Sequence, residues 1–367
     1  IVANGGTAAT GLGVTGTFTL NRQLNLNAAT SALDVSLSNT LTVANPFVFS
    51  AAGNVLAKNG AGTLVLPVAN AGWTGGLNIN GGVVRLLNAQ AAGSGPISIA
   101  PTSAARGTAL QLVGGLTLTN PITLQGTAGQ PQGGVNTSGQ LQSVTGINTV
   151  TGLLTLPNTA VIGADFGSTL RILGGIQNTV ANNNLILAAN GDIELSEFEM
   201  SFGGTTRFNS VEKLGAGTFR ISSSNVTEVI DQANQNGLLV RDGTVLLDAN
   251  GSWRSRVFLD VGSTLRLDNS AVNFSQGRMS STGAGTFRNI SFRGASLDLI
   301  GSTSSGSPTV ENFADTTFLK GFSQISLKQQ NLTFAQTILF FRGASWGNLA
   351  PNQNSGTSAP GCLLYTS

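Results

Sequence analysis

The chain has 367 residues and a formal net charge of +2, with 9% charged residues, 49 glycines, one cysteine and no histidine. Charged residues at about a third of ordinary usage exclude charge-rich disorder, and the single cysteine excludes a disulfide-bonded scaffold. Because histidine is absent, sites that need an imidazole as a metal ligand or general base are excluded as well.

The basic residues are not clustered, so the small positive excess is not typical of a nucleic-acid-binding surface. The longest apolar run, TILFF at residues 337–341, is far shorter than the ~20 residues that a membrane helix needs. We therefore expect no nucleic-acid partner and no membrane span in this chain.

Apolar and polar residues alternate along most of the chain, in short segments that predict β-strands. From the N-terminus, the clearest segments are residues 17–20, 24–26, 33–37, 64–66, 77–79, 83–87, 97–99, 110–112, 116–118 and 122–124. Asn-Gly pairs between many of them favour tight turns, since both residues readily adopt a positive φ. The best helix candidate, residues 226–236, is short and polar, so the sequence predicts an all-β protein.

Two stretches of the chain repeat each other. Residues 58–66 (KNGAGTLVL) correspond to residues 213–221 (KLGAGTFRI), and residues 73–88 (WTGGLNINGGVVRLLN) correspond to residues 236–248 (NGLLVRDGTVLLD). Short strands alone would fit a sandwich, a barrel or a solenoid. Repeats with shifted spacing favour a solenoid, because a closed barrel must match strand length and shear all round.

These repeats resemble the autotransporter-associated β-strand repeat of secreted bacterial passenger proteins and large surface proteins. The best stretch, residues 39–99, contains NTLTVANPFVF, AKNGAGTLVL, GWTGGLNINGGVVRLLN and GSGPISI. The resemblance implies a right-handed, single-stranded parallel β-helix that is exported and displayed at the cell surface, and it implies no catalytic residues. We therefore expect a non-enzymatic surface passenger or stalk, adhesin or extracellular matrix component.

Two other function classes stay open. Parallel β-helices also carry polysaccharide lyases and hydrolases, so a carbohydrate-active enzyme is one alternative. A self-assembling extracellular filament is another, because the open ends of a solenoid can pair with further strands. The expected partners are cell-surface or matrix components, with carbohydrate as a candidate, and further copies bound end to end. We assign no catalytic, cofactor-binding or metal-binding residue.

Charge is distributed unevenly along the chain. Residues 1–164 contain only five charged residues, which are Arg22, Asp34, Lys58, Arg85 and Arg106. We therefore place a soft compositional boundary near Ala160 within one continuous β-helix over residues 1–350, with two independent domains as the alternative. Residues 351–367 are expected to form a flexible or non-native tail, since their last seven residues (GCLLYTS) match no upstream unit and resemble translated sequencing-adapter sequence.

The richest acidic stretch is DIELSEFE at residues 192–199. Asp192 and Glu194 share one strand face, and Glu197 and Glu199 share another. Four carboxylates this close could hold Ca²⁺. An apolar residue separates the members of each pair, however, which is typical of an outer strand face, so we favour solvated or arginine-paired carboxylates.

Arginines and aspartates alternate further along the chain, at Arg220, Arg241, Asp242, Asp248, Arg254, Arg256, Asp260, Arg266 and Asp268. In consecutive turns of a solenoid they are expected to stack as Arg–Asp ladders, in which cross-strand pairs contribute roughly 0.2–1 kcal/mol each. A catalytic trio of Asp248, Asp260 and Asp268 is the alternative. Residues 241–243 align with residues 80–82 of the other copy and are interpreted as a turn.

Six aromatic residues are candidates for a carbohydrate-stacking strip, namely Trp73, Trp253, Trp346, Phe198, Phe202 and Phe208. Because Trp73 belongs to the repeat, we favour a corner-packing role for it. The residues predicted to point into the core are Leu64, Leu66, Val83, Leu86, Leu110, Leu112, Leu170, Ile172, Leu246, Leu265 and Leu267.

Lys58 and Lys213 each open a copy of the repeat. As ligand contacts they would be functional. We favour a structural role at a corner, with the stem along the coil and the ammonium reaching solvent or a carbonyl. Such a charge would also prevent pairing with a foreign strand. On this hypothesis, replacing either lysine by glutamine costs less than about 1 kcal/mol, as for an exposed charge.

Overall fold

The structure, a computed structural model, describes residues 2–3, 11–101, 107–125, 139–195, 208–223, 237–253, 255–274, 277–279, 288–303, 308–330, 337–346 and 359–365. These residues form strands and turns, with no helix among them, and the strands of successive turns pair in parallel. The fold is a parallel β-solenoid, which confirms the predicted fold class. The chain divides into two compact units, Ile1–Ile193 and Glu194–Ser367.

The strands of the first unit are β1 (Val2–Ala3), β2 (Leu12–Val14), β3 (Phe18–Leu20), β4 (Asn25–Leu26), β5 (Thr30–Val35), β6 (Thr40–Val43), β7 (Val48–Phe49), β8 (Val55–Asn59), β9 (Thr63–Leu66), β10 (Leu77–Ile79), β11 (Val83–Leu86), β12 (Ile97–Ile99), β13 (Ala109–Val113), β14 (Thr117–Leu118), β15 (Ile122–Leu124), β16 (Leu141–Val150), β17 (Leu154–Leu156), β18 (Ala160–Ala164), β19 (Ser168–Ile172), β20 (Ile176–Asn178) and β21 (Asn184–Ala189). A further strand, β22 (Asp192–Leu195), contains the boundary between the units.

The strands of the second unit are β23 (Ser210–Leu214), β24 (Thr218–Ile221), β25 (Gly237–Val240), β26 (Thr244–Leu247), β27 (Val257–Leu259), β28 (Thr264–Asp268), β29 (Arg288–Phe292), β30 (Ser296–Ile300), β31 (Thr309–Phe318), β32 (Gln324–Lys328), β33 (Thr337–Trp346) and β34 (Ala359–Tyr365).

In the first unit, successive turns stack their strands into parallel sheets; β1, β4 and β7 form a short one, and two others extend along most of the unit. One sheet has the order β2-β5-β8-β10-β12-β15-β17-β20. In the other, equivalent positions stack in register, and one inward column is fully buried along its length: Leu41, Leu64, Val84, Leu110, Leu141, Ile162 and Leu187. Strand neighbours lie ~4.8 Å apart, so such a column excludes water continuously.

In the second unit, β23, β25, β27, β29, β31 and β33 form one sheet, and β24, β26, β28, β30 and β32 form the other. A buried column again follows the register, through Phe219, Val245, Leu265 and Leu297. The sheet of β33 continues with β34, which pairs antiparallel to it.

The predicted core is confirmed for ten of its eleven residues, which are all buried. The prediction was wrong for Leu246, which is only half-buried, while its neighbours Val245 and Leu247 point inward. In the adjacent turns Leu246 pairs with Arg220 and Arg266, so it belongs to an outward column. Because Val245, Leu246 and Leu247 are all apolar, the sequence does not show which of them point into the core.

The division into units falls after Ile193, further along the chain than the compositional boundary near Ala160. In the expected tail, Ala359–Tyr365 forms the strand β34 rather than an unpaired segment. The helix candidate at residues 226–236 lies outside the described residues. Within the described residues, no helix has the length and apolar character to cross a bilayer.

The two leucines of β26 provide a matched test of the column assignment. Leu247→Ala should lower the free energy of unfolding by about 2–5 kcal/mol, because it leaves a cavity in a packed column. Leu246→Ala should lower it by less than about 1 kcal/mol, since the side chain is already partly hydrated. Urea denaturation of both variants measures this, and equal losses would contradict the assignment.

Candidate functional site

Ion pairs on the outer face of the second unit link successive turns. Arg220 lies between two carboxylates: its Nη1 is 2.7 Å from Oε1 of Glu194, and its Nε is 2.9 Å from Oδ2 of Asp248. Further along the same sheet, Arg266 in β28 pairs with Asp298 in β30, with 3.0 Å between Nη2 and Oδ2. Each arginine reaches along the coil to an acid of a neighbouring turn.

A second ladder runs along the other sheet, through Glu212, Arg241, Asp260 and Arg293. Arg241 Nε is 2.7 Å from Glu212 Oε1, and its Nη1 is 3.4 Å from Asp260 Oδ2. Arg293 donates to both carboxylate oxygens of Asp260, and these bonds hold the pKa of Asp260 at about 2. The predicted alternation of arginine and acid in consecutive turns is confirmed here, and Glu212, Arg293 and Asp298 are members that the sequence analysis missed.

The predicted carboxylates take separate structural partners. Asp248 and Asp260 belong to different ladders, and Asp268 accepts a hydrogen bond from the Ser270 backbone N–H at 2.9 Å. Glu194 is paired with arginine, as expected, whereas Glu197 and Glu199 lie outside the described residues. Among the residues that the structure describes, no three acidic, histidine or cysteine side chains come together as a metal site.

Trp73 packs inside a corner of the first unit, which confirms the predicted role. It is fully buried, its Nε1 donates to the Asn54 carbonyl at 2.7 Å, and its ring lies 5.7 Å from Phe47 and 5.6 Å from Phe49. Two other members of the proposed stacking strip are also buried, namely Trp253 and Phe208. Phe198, Phe202 and the Trp346 side chain lie outside the described part of the chain.

The expected contact of the two lysine ammonium groups with carbonyls is confirmed, but the expectation of an exposed charge was wrong, because Lys58 and Lys213 are both fully buried. The ammonium of Lys58 donates to the carbonyls of Asn59, Gly60 and Gly81, at 2.7, 2.9 and 3.0 Å. Burial lowers the pKa of Lys58 to about 8, while the charge of Asp34 acts in the opposite direction. A protonated amine has three donors, so every donor has a carbonyl partner, and Gly81 belongs to the next turn.

Lys213 repeats this arrangement in the second unit. Its ammonium donates to the carbonyls of Gly215 and Asp242, and the latter, at 2.9 Å, belongs to the following turn. Gly243 has a φ of +65°, and a Cβ there would lie 2.4 Å from the lysine Nζ. The repeat therefore encodes a buried cation beside a glycine turn, and residues 241–243 form the predicted turn.

Replacing Lys58 tests this assignment. Lys58→Met keeps the apolar stem but leaves three carbonyls without a donor, and each buried unsatisfied group costs about 1–3 kcal/mol. We expect a loss of at least about 2 kcal/mol in unfolding free energy. Lys320→Met, at an exposed lysine, is the control and should change it by less than about 0.5 kcal/mol. Similar urea midpoints for the two variants would contradict the role.

A third buried cation, Arg278, was missed because nothing in its local sequence belongs to the repeat. Its guanidinium donates to the carbonyls of Ala249, Gly251, Asp268 and Val272. The fully buried carboxylate of Glu311 accepts the backbone N–H groups of Arg278 and Met279, at 2.8 and 2.9 Å. Burial raises the pKa of Glu311 to about 7 against these hydrogen bonds.

The raised pKa of Glu311 predicts a pH-dependent stability. Between about 4.5 and 7 the folded state binds more protons than the unfolded state, so the free energy of unfolding should fall as the pH rises through this range. Asp260 and Lys58 have pKa values of about 2 and 8, outside this window. Urea midpoints of Glu311→Gln should depend less on pH from 4.5 to 7 than those of the unaltered chain, and parallel profiles would refute the assignment.

A shallow groove on the outer face of the second unit, with a volume of about 220 Å³, is a candidate binding site. We call it the outer groove, and its lining residues are Leu239, Arg256, Val257, Phe258, Asn289, Ser291, Asp315 and Thr317. It lies beside the ladder of Asp260 and Arg293, and the Arg293 guanidinium is 5.7 Å from the Phe258 ring centroid. Of these residues, only Arg256 is a candidate that the sequence itself indicates.

Comparison with known protein families, with curated proteins and with solved structures finds no match to this chain.

Proposed function

We propose that this protein is a secreted, non-enzymatic β-solenoid that acts at the bacterial cell surface as a passenger or stalk, an adhesin, or a component of the extracellular matrix. The observation that carries the proposal is the set of ladders, in which outward carboxylates pair with arginines of neighbouring turns. Charges used in this way stabilise the stacking of turns, which is what an extended display scaffold requires.

The architecture suits a display role for a second reason. In a solenoid each turn contacts mainly its neighbours, so turns can be added without redesign of a central core. The buried Lys58 and Lys213 reinforce this arrangement, since each joins carbonyls of two consecutive turns. The resemblance of the repeats to those of secreted passenger proteins supports export and surface display.

The competing enzyme hypothesis needs a carboxyl group that can exchange a proton with a substrate. The ladder geometry favours the opposite behaviour for Asp260, because two arginines contact it and its pKa is lowered to about 2. Glu311 has a raised pKa, but it is fully buried and holds two backbone N–H groups.

The filament hypothesis needs an unpaired strand edge. One edge of β33 pairs with β31 and the other pairs with β34, so stacking of a second copy on this sheet would have to displace β34. In the other sheet of this unit β32 pairs only with β30 among the described strands, so end-to-end association stays an alternative there.

A polysaccharide assay tests the non-enzymatic proposal. We expect no new reducing ends and no unsaturated uronate products from pectin, alginate or chitin-like polymers, because Glu194, Asp248 and Asp260 are paired with arginines. Turnover that disappears in Glu194→Ala or Asp248→Ala would overturn the proposal in favour of a carbohydrate-active enzyme.

Antibody labelling of intact cells tests the proposed display at the cell surface. An antibody against the chain should label intact, unpermeabilised cells that express the whole reading frame. Labelling that requires permeabilisation would contradict a role at the cell surface.

A further inference from the structure

The outer groove consists of two columns of outward side chains that run along consecutive turns. Leu239, Phe258, Ser291 and Thr317 are register partners in β25, β27, β29 and β31. Arg256, Asn289 and Asp315 directly precede the register partners Val257, Ile290 and Thr316, so they form the second column. The groove therefore repeats at the ~4.8 Å spacing of the turns and favours an elongated ligand lying along the coil.

Arg256 provides the cation of the outer groove. A Cβ at Gly237, in the preceding turn, would lie 2.4 Å from Cγ of Arg256, so the stem of the arginine crosses the space that the glycine leaves open. Arg256 is exposed, and among the described residues it has no acidic partner, in contrast to Arg241 and Arg293 of the adjacent ladder. Its guanidinium is therefore available for a carboxylate of a ligand.

The rest of the outer groove offers short polar groups and one aromatic ring. Asn289 accepts the backbone N–H of Asp315 through Oδ1 at 3.2 Å, which leaves its amide NH₂ as a donor. A bulge lies here, because the register shifts between Arg288 and Ile290, and bulges re-aim side chains. The half-buried Phe258 presents an apolar surface between these groups.

We propose that the outer groove binds a uronate-bearing glycan, with Arg256 holding a sugar carboxylate, Asn289 and Asp315 bonding hydroxyl groups, and Phe258 packing against a sugar ring. Charge complementarity favours an acidic glycan, because Arg256 lines the outer groove and is not paired with an acid of the neighbouring ladder. Asp315 would repel a second carboxylate but accepts hydroxyl donors, which a sugar provides.

An acidic peptide fits this surface less well. One common way for an extended peptide to bind a β-protein is to add a strand to an exposed sheet edge, where backbone groups are free. The outer groove lies on a sheet face, where the backbone groups of β27 and β29 already pair within the sheet. The inference rests on the proposed function for its setting, since a non-enzymatic adhesin at a cell surface would meet such glycans.

Calorimetric titration at low salt tests the proposal with hexasaccharides of galacturonate and of mannuronate, two sources of the same carboxylate chemistry. The methyl ester of each is the matched ligand, because it keeps the hydroxyls and removes the charge. For the unaltered chain we expect the acid of at least one sugar to bind about tenfold or more tightly than its ester, as a charge-assisted bond allows.

Three variants locate the effect. Arg256→Gln should weaken binding of the acid about tenfold and abolish the difference between acid and ester. Arg266→Gln makes the same charge change on the other sheet and should leave both unchanged. Phe258→Leu keeps an apolar side chain without the ring and should weaken acid and ester alike, by about three- to tenfold. Circular dichroism confirms that each variant is folded.

Several outcomes would overturn the inference: no binding of either acid, equal losses in Arg256→Gln and Arg266→Gln, or a hexaglutamate peptide that binds as tightly as the sugars. These failures are distinguishable from failure of the proposed function. Turnover of the sugars would contradict the non-enzymatic proposal even where the Arg256 pattern holds. Surface display without turnover and without an effect of Arg256→Gln would leave the proposed function standing and refute the site.

Discussion

The fold depends on one constraint, the parallel pairing of each turn with the next at a separation of ~4.8 Å. Because this pairing is in register, a residue lies directly above its equivalent, and each column must be compatible with itself. Apolar columns such as Leu64, Val84 and Leu110 meet this condition by excluding water. A column of like charges would repel at that distance, so a chain of this kind has few charged residues or alternates their sign. The sequence does both: 9% of its residues are charged, and Glu212, Arg241, Asp260 and Arg293 alternate along one sheet.

The same constraint creates a difficulty at the corners, where the chain leaves one sheet and carbonyl groups point away from the ladder of backbone hydrogen bonds. A buried carbonyl without a donor is costly, and three buried cations meet this need. Lys58, Lys213 and Arg278 each donate to carbonyls of two or more turns. These residues therefore act as local donors within the backbone rather than as surface charges. Glycines such as Gly243 leave the space that the cation occupies.

Much of this architecture could be predicted from the sequence, because alternation and repetition are local properties. Alternation and repetition predict the solenoid and most of the inward residues. They also predict the corner role of Trp73 and the existence of Arg–Asp ladders. What could not be predicted depends on register across loops of changing length. Asp260, for example, meets Arg241 at a separation of 19 residues and Arg293 at a separation of 33. The phase of Leu246, the burial of the lysines and the pairing of Glu311 with the backbone of Arg278 all require that register, which no periodic pattern fixes.

The outer groove and the neighbouring ladder differ in how their charged side chains are used. The ladder pairs its charges internally, whereas the groove is proposed to use Arg256 and Asp315 for a ligand. Both lie on one sheet, in columns only a few residues apart, and both contain arginine and aspartate. In the ladder, acid and base occupy consecutive turns and satisfy each other. In the groove, Asn289 separates Arg256 from Asp315 by one turn, and its Oδ1 is already used by the Asp315 backbone. An aspartate at position 289 would have completed a further ladder. The Asn289 amide instead separates Arg256 from Asp315 and adds an N–H donor between them. A uronate chain, which offers carboxylate and hydroxyl groups in turn, can bond to all three side chains.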